Sequence, residues 1–300
     1  MAVIMVTGAT GMLGRQLVQN LRQSGNDVRI LTTNINKKDE KGAAFLWNVR
    51  DHFVQQGALD GVDVIIHLAG SNIGKKRWTA KNRQNIIESR SESADLLRET
   101  LEKGGHKIRH FISISATGYY PDPGSKMYTE SDLPGEGFLS KVCMEWEKAA
   151  LRFENPNTKV AIIRMAPVFS ATAGLLPTIS MTKGIRILPV LGSGKNIWAW
   201  IHIQDAVNIF QFILDHHLSG IYNANAPQIT SQKEVLHAIS GNQWIWHAPV
   251  PEFLLKLFLG ERSALPLTNQ KVSSEKLQKL GFIYQFPEIN SAISNLFHAK

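Results

Sequence analysis

Apolar residues along the chain alternate between continuous runs and positions spaced at helical intervals. The runs that predict strands buried on both faces, rich in Val and Ile, are residues 2–6, 27–32, 62–70, 108–117 and 159–169. The segments whose apolar residues recur every three or four positions, as in amphipathic helices, are 12–25, 84–105 and 138–153. Strands that alternate with helices in this way favour a mostly parallel, doubly wound α/β sheet with helices on both faces.

The pattern changes after Phe169. Proline, glycine and short apolar runs dominate residues 170–197, whereas residues 198–217 again read as a strand followed by a helix, with Asp205 as its N-cap. We therefore predict a main domain and a smaller, discontinuous C-terminal region. The main domain comprises residues 1–169 plus about 198–225, and the C-terminal region about 170–197 plus 226–300.

Residues 5–15, MVTGATGMLGR, place three glycines between the first strand and the first helix, with the spacing G-x-x-G-x-x-G. Glycine allows a tight turn and lets a phosphate group approach the helix N-terminus, where free N–H groups and the helix dipole favour an anion. A turn without a ligand is the alternative, but the flanking strand and helix favour a dinucleotide site. The residues assigned to this site are Thr7, Gly8, Ala9, Thr10, Gly11, Met12, Leu13, Gly14 and Arg15.

The end of the second strand bears on which dinucleotide the loop holds. An NAD site usually has an acidic residue there, which hydrogen-bonds the adenine ribose. This strand instead ends in Thr32 and Thr33, and basic residues lie nearby in the sequence at Arg15, Lys37 and Lys38. Because hydroxyls and cations suit a 2′-phosphate, NADP(H) is predicted as the cofactor in preference to NAD(H).

Composition limits the classes of function. Hydrophobic residues make up 43% of the 300 residues and charged residues 19%, as in an ordinary globular protein. No apolar run is long enough for a membrane span, and the single cysteine, Cys143, fits a reducing, cytoplasmic compartment. Much of the net charge of +8 lies in short lysine-rich runs without a recognition motif, so we expect neither a membrane nor a nucleic acid as partner.

Several segments follow one another in the order found in a known family. These segments are TGATGMLGR, VIIHLAGSNI, KRWT, ESR, SATGYYP, FLSKVCMEWEKAA, LGSGKNIWAWIHIQD and YNANAP. Together they resemble the extended or atypical short-chain dehydrogenase/reductases of the NAD-dependent epimerase/dehydratase family, in particular a subgroup described as nucleoside-sugar epimerase-like or cell-division-inhibitor-like. The resemblance spans nearly the whole chain, and it implies a Rossmann-like domain with a split C-terminal substrate region.

The resemblance adds residues to the predicted cofactor site and changes which residues are expected to bind the 2′-phosphate. Those that would pass over the adenine and ribose are Leu68, Ala69 and Gly70. Arg90 matches a position that reaches the cofactor in this subgroup. Many close relatives have arginine where Thr33 stands, so here the basic residues Arg15, Lys37 and Lys38 would have to hold the 2′-phosphate.

The chemistry of this superfamily uses a tyrosine as general acid or base and a lysine four residues later, with a Ser or Thr hydroxyl that orients the substrate. None of the five tyrosines has a lysine four residues after it. Ser115 matches the hydroxyl position, Tyr119 and Tyr120 are candidate acids on the loop that follows, and Lys141 is a candidate cofactor contact. Structural roles for all four residues are the alternative.

Other reactive side chains favour structural roles. His67 and His202 lie at strand ends, where a lone histidine is more often a hydrogen-bonded core residue than a base, and no third histidine gives metal-ligand spacing. Cys143 is either a reactive thiol or a small buried hydrophobe. Trp198 and Trp200 either floor a substrate cleft or pack between the two regions.

Two classes of function remain. The first is a cytoplasmic NADP(H)-binding oxidoreductase or epimerase that acts on an unidentified small molecule, assisted by Ser115 and by Tyr119 or Tyr120. The second is a non-catalytic NADP(H)-binding sensor or scaffold, which the missing tyrosine–lysine pair favours. The helices at 84–103 and 138–153 match those that relatives use to dimerise, so a homodimer is the expected assembly if the chain self-associates.

Overall fold

The computed structural model describes residues 2–34, 43–124 and 126–298. The strands are β1 (Val3–Thr7), β2 (Asp27–Thr32), β3 (Ala44–Asn48), β4 (Phe53–Val54), β5 (Val64–His67), β6 (His110–Ala116), β7 (Met127–Tyr128), β8 (Lys159–Met165), β9 (Val168–Phe169), β10 (Ile187–Leu191), β11 (Ile197–Trp198), β12 (Ile201–His202), β13 (Gly220–Ala224), β14 (Thr230–Ser231), β15 (Trp246–Val250) and β16 (Lys271–Val272). The α-helices are α1 (Met12–Gln23), α2 (Ala80–Gly104), α3 (Phe138–Leu151), α4 (Leu175–Ser180), α5 (Ile203–Asp215), α6 (Gln232–Ser240), α7 (Glu252–Leu259), α8 (Glu275–Lys279) and α9 (Ile289–His298).

The main sheet has the strand order β13-β8-β6-β5-β1-β2-β3-β4. Its strands run parallel from β13 to β3, and β4 is antiparallel to β3. Thr7 at the end of β1 is in register with Leu31 of β2 on one side and His67 of β5 on the other. The predicted doubly wound parallel sheet is confirmed, and its connections change direction at β1, where ligands bind in open α/β sheets.

The two faces of the sheet carry separate apolar clusters. Alternate residues of a strand point to opposite faces, and β1 shows this directly, since Ile4 and Val6 join one cluster and Met5 the other. The first cluster includes Phe210 of α5, and the second includes Leu97 of α2. Helices therefore cover both faces, and only the strand ends are left for chemistry.

Helix α2 begins earlier than the sequence pattern predicts. The apolar spacing indicates a start at residue 84, whereas the helix begins at Ala80 because Thr79 is its N-cap and accepts a hydrogen bond from the Asn82 amide. It ends at Gly105, whose φ of 65° stops the helix. The cap extends the helix by about one turn into a polar stretch, where apolar periodicity carries no signal.

The predicted N-cap of α5 is wrong. The N-cap is His202, whose Nδ1 accepts a hydrogen bond from the Gln204 amide at 3.1 Å. Asp205 is fully buried, and its carboxylate accepts hydrogen bonds from the amides of Gln285 and Phe286 at 2.8 and 2.9 Å. Asp205 therefore attaches the C-terminal segment to helix α5 instead of capping that helix.

The C-terminal residues form their own apolar cluster around α6 and α9. Trp198 and Trp200 are buried in it, and Trp200 stacks on Phe169 and donates a hydrogen bond to the Thr230 hydroxyl. Both tryptophans therefore pack in this region of the fold. The division of the chain into two domains stays a prediction, although β13 joins the main sheet beside β8 as that division requires.

Candidate functional site

The glycine loop lies between β1 and α1 at the carboxyl edge of the sheet. A Cβ atom on Gly8 would lie 2.7 Å from the carbonyl carbon of Leu68, and Gly8 has a φ of +68°. A Cβ on Gly14 would lie 2.3 Å from the Gly8 carbonyl oxygen and 2.7 Å from the Cα of Ala9. Since no side chain fits at either position, the loop, the first turn of α1 and the end of β5 meet as bare backbone.

The N-terminus of α1 has the properties of an anion site. Its N-cap is Gly11, which offers no capping side chain, and the first turn contains no acidic residue. Gly11 is exposed, and Met12 and Leu13 are partly exposed. The first N–H groups of the helix are therefore available to an external acceptor, and the dipole favours a negative one. This backbone cradle fits the pyrophosphate of a dinucleotide.

Thr7 and His67 join the ends of β1 and β5. The Thr7 hydroxyl lies 2.9 Å from His67 Nδ1 and accepts hydrogen bonds from the amides of Leu68 and Ala69. The other ring nitrogen of His67 lies 3.1 Å from the Ser93 hydroxyl of α2. Burial lowers the pKa of His67 to about 4, so the ring is neutral near pH 7. These side chains hold the floor of the crevice, and none of them is free to act as a base.

Arg90 connects this crevice with a neighbouring cavity. Its guanidinium donates hydrogen bonds to the backbone carbonyls of Ile86 and Ser71, at 2.8 and 3.1 Å. A Cβ on Gly70 would lie 3.1 Å from Arg90 Cζ, so the arginine packs directly beneath the chain that follows β5. The guanidinium also lies over the Trp146 ring at 4.6 Å, and burial lowers its pKa to about 10.

The end of β2 places the residues that are predicted to distinguish NADP(H) from NAD(H). The Thr32 hydroxyl is buried and bonds within the turn, to the amide and carbonyl of Asn34. Thr33 and Arg15 are exposed. Lys37 and Lys38 lie outside the described residues. Thr33 and Arg15 are therefore the described side chains of this group that face solvent.

A cavity of about 810 Å³ opens at the carboxyl ends of β6 and β8. Its size is that of an ordinary small-molecule site. The polar residues that line it include Arg90, Ser115, Tyr120, Asp122, Glu136 and Gln270. Burial raises the pKa of Asp122, against the hydrogen bonds it accepts from Asn269 and Thr268.

Ser115 lies at the bottom of this cavity and belongs to a buried polar network. It is 2% exposed, and its hydroxyl donates a hydrogen bond to Glu147 Oε1 at 2.7 Å. Arg164 of β8 pairs with both oxygens of Glu147, each at 2.9 Å. With its own proton held by Glu147, the Ser115 oxygen presents lone pairs that can accept a hydrogen bond from a hydroxyl in the cavity.

The same network holds the two candidate tyrosines. Tyr120 is 1% exposed, and its hydroxyl donates to Asn223 Oδ1 at 2.6 Å and accepts from Arg164 Nη1 at 3.0 Å. Burial raises the pKa of Tyr120 to about 12, so the phenol stays protonated. The Tyr119 ring stacks on the Arg164 guanidinium, with 3.4 Å between Cζ and the ring centroid. Lys141 is exposed on α3 and does not belong to the cavity lining.

The face of α3 that turns toward Ser115 carries no proton donor of the expected kind. Leu139 and Cys143, one helical turn apart, line the cavity and pack against Gly118. Residues four apart lie on the same face of a helix, so a tyrosine–lysine pair at these two positions would face the cavity. The Cys143 thiol lies 3.6 Å from the Ala116 carbonyl, and burial raises its pKa to about 12. It is a neutral, buried thiol.

Comparison with known proteins gives the chain its family. A model of the NAD-dependent epimerase/dehydratase family matches residues 4–224. The chain is a member of this family. In this epimerase family member a second model, a domain of unknown function (DUF1731), matches residues 250–296. The resemblance inferred from the motif order is thus confirmed, and family membership supports a nicotinamide dinucleotide as cofactor.

Relatives of this epimerase family member extend over its whole length. An epimerase family protein of Staphylococcus haemolyticus is 33% identical over 305 residues, which covers 100% of both chains. The human epimerase family protein SDR39U1, crystallised with NADPH, superimposes with a TM-score of 0.86 at 24% identity and covers 98% of each chain. A nucleoside-diphosphate sugar epimerase from Corynebacterium glutamicum has a TM-score of 0.79 at 26% identity, covering 100% of this chain and 59% of that one.

Sequence reasoning missed the two charged residues that hold Ser115 in place. Glu147 lies in a segment whose apolar spacing predicts a helix with several charged residues, whereas Arg164 is the one charge inside the apolar run 160–169, which predicts a strand. A lone charge inside an apolar run is a signal of buried pairing. The run does not identify the partner of Arg164, however, because Glu147 lies 17 positions earlier in the sequence, on α3.

Among the described residues, no helix is both long and apolar enough to cross a membrane. Within the same residues, no group of three or more His, Cys, Asp or Glu side chains could hold a metal ion.

Proposed function

We propose that this protein is an NADP(H)-dependent oxidoreductase or epimerase that acts on a small molecule held in the Ser115 cavity. The observation that carries the proposal is the position of Arg90, which packs beneath Gly70 at the cofactor crevice and also lines the cavity. A molecule in the cavity therefore lies beside the crevice that fits the dinucleotide. A bound nicotinamide supplies hydride transfer, and the residues of the chain position and bind.

Ser115 has the geometry of an orienting residue. Glu147 holds its hydroxyl proton, so the oxygen accepts a hydrogen bond from the hydroxyl of the reduced, alcohol form of the substrate and fixes which hydrogen faces the cofactor. Tyr120 is the tyrosine of the pair that lines the cavity, and its protonated phenol makes it the donor candidate. To act as a donor, its hydroxyl has to turn from Asn223 toward the substrate.

The preference for NADP(H) over NAD(H) is part of this proposal. It is supported by the absence of a carboxylate at residues 31–34 and by the exposed Arg15 in the first turn of α1. The NADPH in the crystal structure of human SDR39U1 points the same way. A charge-assisted hydrogen bond to a phosphate contributes about 1.5–3 kcal/mol, or roughly a factor of 10 to 100 in affinity.

Fluorescence titration with NADPH and NADH tests the cofactor. We expect Arg15→Ala to weaken NADPH binding by about tenfold and to leave NADH binding unchanged. Arg50→Ala, at an exposed arginine outside the crevice, is the matched control and should change neither. Equal loss for both dinucleotides would show that Arg15 does not contact a 2′-phosphate.

A non-catalytic sensor is the second candidate, because Leu139 and Cys143 occupy the face on which the usual tyrosine and lysine would lie. Measuring NADPH oxidation distinguishes the enzyme from the sensor. The enzyme oxidises NADPH in the presence of a carbonyl substrate, and Ser115→Ala lowers kcat while NADPH affinity is retained. A protein that binds NADPH tightly but turns over no member of a broad metabolite panel, with Ser115→Ala silent in cells, is the sensor.

Location and assembly are further parts of the proposal. A cytoplasmic location is supported by the single cysteine, which is a free, buried thiol in this fold. A homodimer through α2 and α3 is supported by the match of these helices to those with which relatives dimerise. Light scattering of the purified protein tests the dimer, and a monomer across a hundredfold range of concentration would refute it.

A further inference from the structure

We infer that the Ser115 cavity binds an uncharged, largely apolar molecule with a hydrogen-bond acceptor, of the class of bulky ketones and aldehydes, and that it rejects nucleoside diphosphate sugars. The inference deepens the proposed function, on which the reaction of such a molecule rests. The class of ligand is inferred from the residues that line the cavity and does not depend on whether the ligand reacts.

The walls of the cavity are mainly hydrocarbon and aromatic. Trp78, Phe138, Leu139, Trp146 and Leu265 line it, and the Trp78 and Phe138 rings lie 4.9 Å apart. Burial of apolar surface contributes about 25 cal/mol per Å². A ligand gains most here by presenting apolar surface of its own, and a sugar with hydroxyls around its ring gains little.

The charges of the cavity oppose a diphosphate. Arg90 is the one basic residue among the described residues that line it, and two of its guanidinium donors are occupied by the carbonyls of Ile86 and Ser71. Asp122 and Glu136 contribute two carboxyl groups. Binding of phosphates in proteins depends on Arg or Lys side chains and on helix N-termini. The described lining of this cavity instead offers two carboxyl groups and one arginine that is already partly hydrogen-bonded.

The N-terminus of α3 also lies at the cavity, and a helix N-terminus can bind a phosphate. Gly137 is its N-cap, without a capping side chain, and both Gly137 and Phe138 line the cavity. Glu136 lies immediately before the cap, so a carboxylate already stands near the positive end of this helix. A second anion there meets like-charge repulsion, whereas a neutral oxygen does not.

Two buried donors without partners point to an acceptor on the ligand. Arg90 Nε and Trp146 Nε1 are buried and have no hydrogen-bond partner among the described residues. Both side chains are 7% exposed, both line the cavity, and they contact each other. A buried donor left unpaired costs about 1–3 kcal/mol. Neither nitrogen is exposed to the cavity as it stands, so a carbonyl oxygen carried in by an apolar body pairs with one of them only after the two side chains shift.

Titration of the full-length protein with prodan, 6-propionyl-2-(dimethylamino)naphthalene, tests this inference. Prodan is a neutral aromatic ketone whose emission shifts to the blue in apolar surroundings. We expect saturable binding with a blue shift, with and without NADPH, and no displacement by a hundredfold excess of UDP-glucose. The same naphthalene with a propyl group in place of the propionyl group should compete about tenfold less well, because it has no acceptor.

Two leucine variants form a matched pair. Leu139→Glu places a carboxylate in the cavity wall and should weaken prodan binding at least tenfold. Leu133→Glu makes the same change at a leucine that is 81% exposed and outside the lining, and it should have no effect. Unlike Leu139→Glu, the variant Trp146→Phe introduces no charge into the cavity wall. It should weaken binding of the ketone severalfold more than binding of the propyl compound, a selective loss that general unfolding does not produce.

Three results would overturn the inference: displacement of prodan by UDP-glucose at equal concentration, equal affinity for the ketone and the propyl compound, or an unchanged prodan affinity in folded Leu139→Glu. NADPH titration keeps this outcome separate from the proposed function. Prodan binding without NADPH binding refutes the proposed function and leaves the inferred ligand class intact. NADPH binding together with binding of UDP-glucose in the cavity refutes the inferred ligand class and leaves the proposed function intact.

Discussion

Arg164→Met removes the cation at the centre of the network that holds Ser115. The substitution keeps an unbranched apolar stem that ends about where the guanidinium begins, and it leaves the Glu147 carboxylate buried, with the Ser115 hydroxyl as the donor that remains in the network. Tyr120 loses the donor to its hydroxyl in the same step. The two side chains of the ion pair are 2% and 7% exposed, so water does not replace the lost bonds.

The expected cost follows from this burial. Removing one partner of a buried ion pair lowers the free energy of unfolding by about 3–5 kcal/mol, because an uncompensated charge stays behind. For a chain of 300 residues this corresponds to a decrease in Tm of about 5–8 °C. Replacing both partners, with Glu147→Leu added to Arg164→Met, removes the stranded charge and should restore most of the loss.

Urea unfolding followed by circular dichroism measures these differences, and Lys256→Met is the control. Lys256 pairs with Glu252 at 2.7 Å, but the two side chains are 63% and 55% exposed. Solvent screens this pair, so the control should lose less than about 1 kcal/mol. Two results would refute this account of the network. One is an Arg164→Met variant no less stable than Lys256→Met, and the other is a double variant whose free energy of unfolding is lower than that of Arg164→Met.

Three further outcomes are expected. Because burial lowers the pKa of His67 to about 4, the unfolded chain binds a proton that the folded chain does not, so stability is full above about pH 6.5 and falls as the pH approaches 4. His67→Gln should therefore remove about 2 kcal/mol of the difference in unfolding free energy between pH 8 and pH 5, and identical pH slopes would contradict the assignment. Cys143, the single cysteine, should react with Ellman's reagent at least about a hundredfold more slowly in the native protein than in guanidinium; equal rates would show an accessible thiol. Gly8→Ala should destabilise the fold by about 2 kcal/mol or more, since its Cβ meets Leu68. Gly25→Ala, with a similar φ and open space, should cost about 1 kcal/mol, and equal costs would rule out the clash.

The sheet and the glycine loop could be predicted because their signals are local. Runs such as residues 2–6 are apolar because both faces of each strand are buried, and the glycines mark positions where no Cβ fits. Helix starts were less predictable, since Thr79 caps α2 in a polar stretch without periodicity. The Asp205 error has the same origin, because a side chain that caps a helix and one that binds a distant segment have the same local sequence.

The site could be predicted only where strand ends define it. Ser115 could be predicted because the family resemblance gives it the superfamily's hydroxyl position at the end of β6, but its acceptor Glu147 is 32 residues away on α3. The far wall of the cavity, with Leu265 and Gln270, comes from a region whose sequence has no regular pattern. Tertiary pairing of this kind depends on how α3 sits on the sheet, which a single sequence does not encode in any short motif.

The residues of the dinucleotide crevice and those that complete the cavity are synthesised at different times. The backbone of the dinucleotide crevice comes from residues 7–70, and the side chains of Arg90 and Ser93 follow soon after, well before the residues that complete the cavity. The cavity lacks a wall until Leu265 and Gln270 have been synthesised. A growing chain emerges from the ribosome with its N-terminal part first. The segments of the dinucleotide crevice are therefore made before the residues that complete the cavity, and a chain that stops before residue 264 lacks the lining residues Ala264, Leu265, Thr268 and Gln270.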